Sequence, residues 1–159
     1  MSVSPIPKGY TSVTAYLVVP NSLEAMEFYA KAFGAKQMVH MPGPGGQGTM
    51  HAEMQIGNSF VMITDENPQW EMPSAKTLGG SPVNFMIYQE DCDAAFEKAV
   101  AAGCEVKFPV SDMFWGDRMG KVQDPFGVQW SVATHVEDVP EEEMGPRAQK
   151  WMEEMQQQA

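Results

Sequence analysis

The chain has 159 residues and is 43% hydrophobic and 19% charged, the composition of a chain that folds rather than one that stays disordered. A formal net charge of −11 argues against non-specific nucleic-acid binding, which needs cations to displace phosphate counterions. The longest clean apolar run, Ala15–Val19, is far too short to cross a bilayer, and the first dozen residues carry one Lys and no apolar stretch, so no membrane span or signal peptide is expected, and a cytoplasmic protein is.

The first element reads as a strand at "AYLVV". It is followed by a helix in "NSLEAMEFYAKAF" that Asn21 or Ser22 can cap and that Gly34 stops. Met26, Tyr29, Ala30 and Phe33 mark its apolar face. A strand candidate containing His40 precedes "GPGGQG" (residues 43–48), which matches the GxGxxG pattern literally. A dinucleotide site needs a helix directly after that pattern, and "TMHAEMQI" alternates like a strand, so a glycine hairpin is the reading. Within it His51 and Glu53 share one strand face, as two legs of a metal site, as a base with its orienting carboxylate, or as a solvent-facing pair. Gly57 then leads into "SFVMIT", and "PQWEMPSAKTLGGSP" (residues 68–82) is a linker.

The same order of elements returns about 70 residues later. "NFMIY" is a strand, Asp91 or Asp93 caps a helix whose face is Phe96, Ala99 and Val100, and Gly103 ends it. The turn-rich "FWGDRMG" puts Trp115, Asp117 and Arg118 ahead of a short strand at residues 121–123. An aromatic plus an arginine there can grip a planar or anionic ligand, or Asp117 and Arg118 can simply pair while Trp115 covers the core. "DPFG" turns the chain into "QWSVAT", and His135 follows the strand as a strand-end or inter-subunit polar residue, with a base as the alternative. Ser131 has no nucleophile elbow, and the two cysteines, Cys92 and Cys104, read as buried free thiols. The tail carries a net −5 and a Trp/Met helical face at Trp151, Met152 and Met155. Gly145-Pro146 should delay its helix to about Pro146.

The reading is an α+β fold of two βαβββ modules with sheets around a shared groove, plus a C-terminal helix. Residues 11–67 form the first module, 68–82 the linker, 83–136 the second module and 137–159 the acidic tail.

The doubled unit, "FYAKAFGA", "HAE", "GDR" and "DPFG" followed by "WSVATHVEDV" together resemble the glyoxalase/bleomycin-resistance/extradiol-dioxygenase superfamily, also called the vicinal-oxygen-chelate fold, and within it the PhnB-like branch. The resemblance runs from about residue 11 to 151. It implies a small-molecule site and, in metal-dependent members, four strand ligands, which fall here on Thr14, on Val61 or Met62, on Asn84 and on Ser131. None is His, Glu, Gln or Asp, so no metal and no other cofactor is expected at that site. Some relatives are described as demethylubiquinone methyltransferases, but no loop here suits a nucleotide-bearing methyl donor. The expectation is a small-molecule-binding, sequestering protein that forms a homodimer, with Arg118, Trp115, His51, Glu53 and Asn84 as ligand-binding candidates. The alternative is a metal-dependent lyase, isomerase or dioxygenase with a displaced site at His51 and Glu53; acid–base catalysis by that pair without metal is a third.

Overall fold

The structure, a computed structural model, describes residues 3–157; Gln158 and Ala159, the end of the acidic tail, lie outside the described residues. The first module runs β1 (Ala15–Val19), α1 (Ser22–Phe33), β2 (Lys36–Pro42), β3 (Thr49–Ile56) and β4 (Ser59–Asp65), in sheet order β1-β4-β3-β2. A short helix, α2 (Ala75–Leu78), sits in the linker. The second module repeats the pattern with β5 (Asn84–Tyr88), α3 (Cys92–Ala102), β6 (Glu105–Asp112), β7 (Asp117–Gln123) and β8 (Gln129–His135), in order β5-β8-β7-β6. In each sheet the first strand pairs parallel with the fourth, because the helix carries the chain across, and the remaining pairs are antiparallel.

The caps follow the sequence. The Asn21 side chain accepts the Glu24 N–H and the Asp91 side chain accepts the Ala94 N–H. The helix faces differ slightly from expectation. Ala25, Met26, Tyr29 and Phe33 turn inward on α1 while Ala30 is exposed, and Val100 is exposed on α3 while Cys92, Phe96 and Ala99 are buried. One residue of offset is about 100° on a helix, enough to move a side chain from core to rim.

Strand alternation sorts each sheet into two faces. Leu17, Val19, Ala52, Met54, Val61 and Ile63 pack under the helices, which leaves Tyr16, His51, Glu53 and Met62 on the other face of the first sheet. The two modules join through their helix-bearing faces into one core. Tyr29 of α1 stands edge-on to Trp130 of β8, with ring centroids 5.4 Å apart, and Phe28 meets Phe126 at 5.8 Å. Asp124, the first residue of the "DPFG" turn, is buried at that junction. Its Oδ2 accepts the Tyr29 O–H at 2.7 Å and the Trp130 Nε1–H at 2.8 Å, while Oδ1 accepts the Phe126 and Val128 N–H groups.

Two further expectations are corrected. β7 begins at Asp117, so "GDR" lies largely inside a strand rather than in a turn. The C-terminal helix α4 (Glu141–Gln157) runs through Pro146 without a break at Gly145-Pro146. The proline removes a single N–H one turn in from the helix start, and Arg147 ties that turn to Glu143 and Glu137 at 2.7 Å each. Trp151 then packs with Met113, Met119 and Ala133, on the face of the second sheet that the helices leave open.

Candidate functional site

The seam between the modules holds a groove of about 460 Å³. The N-terminal arm (Gly9, Thr11, Val13, Thr14) forms one wall. The turn between β3 and β4 with its flanking residues forms another, and β5 together with Trp130 closes it from the second module. Its polar residues are neutral: Thr11, Thr14, Asn58, Ser59 and Tyr88. Among the described residues no Asp, Glu, Lys, Arg or His lines it. The two sheets thus share a groove at the edges β1 and β5, while their core faces are occupied by the packed helices.

Two of the four positions that carry metal ligands in the resembling family line this groove, Thr14 and Val61. Met62 points the other way, opposite Tyr16 on the open face. Asn84 and Ser131 satisfy one another, Nδ2 donating to Oγ at 3.0 Å. The Thr14 hydroxyl donates to the Thr11 carbonyl at 3.2 Å. Neutral hydroxyls, an amide and an aliphatic group do not fit a divalent transition ion, which takes imidazole, thiolate or carboxylate. Among the described residues no three His, Cys, Asp or Glu side chains converge as a metal-holding group.

His51 and Glu53 do stand together, Nε2 to Oε1 at 3.2 Å. Both are already engaged on their far sides: the other Glu53 oxygen accepts the Tyr10 O–H, and His51 Nδ1 lies 3.2 Å from the Tyr16 hydroxyl. The Tyr10 hydrogen bond, opposed by burial and aided by His51, holds the Glu53 carboxyl below its ordinary range, while burial and that same bond push the Tyr10 phenol up to about 12. His40 does not join them. It sits opposite Ala52 on the other face of the sheet and contacts the Thr49 hydroxyl at 3.1 Å.

Arg118 lies away from the groove lining. Its Nε and Nη2 bind both oxygens of Asp93 on α3 at 2.6 and 2.7 Å, and Nη1 binds Asp112 at 2.9 Å. This bidentate clamp ties β7 to α3 and β6. Trp115 packs in the small cluster under α4 and donates its Nε1–H to Asp117 at 2.9 Å. Asp117 is the buried centre of a second polar group that also takes the Tyr88 O–H at 2.9 Å and His135 Nδ1 at 2.8 Å. Burial alone would raise the Asp117 carboxyl, but hydrogen bonds from His135, Tyr88 and Trp115 outweigh it and hold it below the usual range. His135 is raised by Asp138 first and by Asp117 second.

No local signal in the sequence points to Tyr10 or Tyr88 as members of a polar group. Tyr16 had one signal: it alternates with Leu17 and so had to leave the core face. "GPGGQG" forms a short 3-10 turn at Pro44–Gly46 with no following α-helix, as the hairpin reading requires. Both cysteines are free and buried.

Comparison with known proteins adds four likenesses. The model of the Glyoxalase/Bleomycin resistance protein/Dioxygenase superfamily matches residues 11–132. An uncharacterised protein of Mycobacterium bovis is 38% identical over 136 residues, 84% of this chain and 89% of the relative. The crystal structure of an Arabidopsis thaliana gene product superposes with a TM-score of 0.64 at 31% identity, over 78% of this chain and 98% of that one. A PhnB protein from Bacillus cereus shares the fold with a TM-score of 0.61 at 20% identity, over 78% of this chain and 99% of that one.

Proposed function

The chain belongs to the glyoxalase/bleomycin resistance protein/dioxygenase superfamily, and we propose that within it this protein is a small-molecule-binding, sequestering module that works without the family's usual metal ligands. The observation that carries this reading is the groove. Its 460 Å³ is the size of a small-molecule pocket, and its walls are apolar and aromatic with a few neutral hydrogen-bonding groups. An ionised ligand would lose hydration there and meet no opposite charge, so the ligand class is uncharged and largely apolar. Phe85, partly exposed in the wall, offers a ring for a planar ligand, and Thr14 and Asn58 offer hydrogen bonds that fix its orientation. The acidic chain, with no helix among the described residues long and apolar enough to cross a membrane, suits neither a nucleic-acid nor a membrane partner.

The test is titration with the neutral dye Nile red, followed by mass spectrometry of whatever co-purifies with the native protein. The dye should brighten on saturable binding, and Ala15→Trp, which fills the groove, should abolish that while the circular dichroism stays native. Binding that Ala15→Trp leaves untouched would place the ligand elsewhere. Added Zn, Ni, Mn or Fe should not raise the melting temperature. A true site would stabilise the fold by about 2.7 kcal/mol at a hundredfold excess over Kd, which a thermal melt resolves readily.

A further inference from the structure

On the open face of the first sheet four side chains form one hydrogen-bonded line: Tyr10, Glu53, His51 and Tyr16. Strand geometry builds it. Glu53 and His51 are two residues apart on β3, and Tyr16 reaches from β1 across the intervening β4. A carboxylate only accepts, so the hydrogen between Glu53 and His51 belongs to Nε2. In the neutral ring Nδ1 is then an acceptor, and the Tyr16 O–H is the donor it meets. The line also has a direction. The Glu53 and His51 side chains are 19% and 24% exposed, whereas Tyr16 is 46% exposed. The carboxylate and imidazole form the rear, and the phenol is the end a ligand can touch.

We propose that Glu53, His51 and Tyr16 are a metal-free general-base relay that takes the proton of a weakly acidic hydroxyl, a phenol or an enol, bound on this face. The ligand O–H bond breaks and its proton joins Tyr16 Oη, while the proton Tyr16 carried passes to His51 Nδ1. The ring becomes an imidazolium whose Nε2–H points at the Glu53 carboxylate, and the ligand becomes its oxyanion. One positive and one negative charge appear together, and no co-reactant is needed. Tyr16 is the catalytic residue. His51 receives the proton, Glu53 orients and stabilises the ring, and Tyr10 is a positioning residue: it holds the second Glu53 oxygen and is itself fixed by stacking on Phe60, ring centroids 4.6 Å apart. Val39 and Met41, half-exposed and opposite Glu53 and His51 on β2, give the planar ligand an apolar floor. None of this depends on the groove being a ligand site.

The probe is 4-nitrophenol, whose anion absorbs visibly, added to the full chain below the pH at which the free probe ionises. The native protein should raise the phenolate absorbance saturably. Tyr16→Phe and His51→Gln should each abolish the rise, Glu53→Gln should reduce it, and Tyr10→Phe should reduce it less than Glu53→Gln. No rise with the native protein, or a rise that survives Tyr16→Phe, overturns the relay. Independently of any variant's folding, long-range proton–nitrogen NMR of the native protein should show neutral His51 protonated on Nε2. A ring protonated on Nδ1 instead overturns the proposal by itself.

Discussion

At Asp124 four donors converge on one buried carboxylate: the Tyr29 phenol, the Trp130 indole and two N–H groups of its own turn. Burial lifts this carboxyl above its ordinary range, and the four hydrogen bonds oppose that rise. Asp124→Ala would strand all four donors inside the protein, and each buried unsatisfied group costs about 1–3 kcal/mol, so urea denaturation should show a loss of more than about 3 kcal/mol. Tyr29→Phe removes one donor and leaves the carboxylate three, so its loss should be about 1 kcal/mol. Equal losses would mean that the carboxylate is not the organising group. "DPFG" is legible in the sequence as a turn, but the role of its aspartate is not, because the Tyr29 partner is 95 residues away. Asp117 and His135 yield a pH prediction. The folded Asp117 carboxyl lies below its ordinary 3.8, so its contribution is complete above that value and is lost as pH falls through the lower folded one. His135 is raised above its ordinary 6.5, so its contribution is complete below that value and is lost as pH rises through the higher folded one. In melting curves across pH, Asp117→Asn should flatten the acid limb and His135→Gln the alkaline limb. If both limbs keep their slopes in the two variants, other groups set the pH dependence.

The helices and strands were the most legible level, because each signal is local. Asn21 and Asp91 cap where a short polar side chain precedes an apolar period, and the β3 alternation in "TMHAEMQI" sorts His51 and Glu53 from Ala52 and Met54. Local rules failed where packing overrides them. Pro146 argues for a break, yet α4 continues because its anchors lie on both sides: Arg147 with Glu137 and Glu143 near the start, and Trp151 further on against Met113 and Met119. Nor does the apolar stripe of that helix say which surface it will cover; Met152 and Met155 of the same stripe remain exposed. Trp151→Ala should therefore free α4 from the second sheet. The indole is partly buried, so the cost should be about 1–3 kcal/mol, below that of a full core truncation. Hydrogen exchange should rise through residues 141–157 and over Met113 and Met119 while α1 stays protected. Unchanged protection in α4 would show that the Arg147 ion pairs hold it alone.

The doubled βαβββ plan was legible for the whole molecule because its glycine and strand signals recur about 70 residues apart. How the two copies meet was not. Tyr29 and Trp130 each announce a buried aromatic, but nothing local says that they bury against one another. The groove is hidden for the same reason, since Thr14 and Phe85 come from different modules. Joining the modules by their helix-bearing faces leaves large apolar side chains on the opposite sheet faces. Tyr16, Val39 and Met41 are 46%, 39% and 45% exposed on the first sheet, and Met86 and Tyr88 are 43% and 57% exposed on the second. Grouped on sheet faces rather than scattered, they mark a surface that favours a partner, and a second copy of the chain is the expected one, lying over the Tyr16 end of the open face as a roof above its ligand rather than in the ligand's place. Two such copies each carry −11, so they repel at long range and their attraction must be short-range and apolar. Added salt screens the repulsion over about 10 Å at 0.1 M and leaves the apolar term in place. Light scattering should therefore find a species of twice the 17.6 kDa chain mass, and its share should grow with salt rather than shrink. Met41→Glu, which puts a charge on the first open face, should shift the protein toward monomer with little change in its circular dichroism. A single 17.6 kDa species at high protein concentration and high salt would rule the dimer out, and a dimer that salt dissociates would mean that ion pairs rather than these apolar faces hold it together.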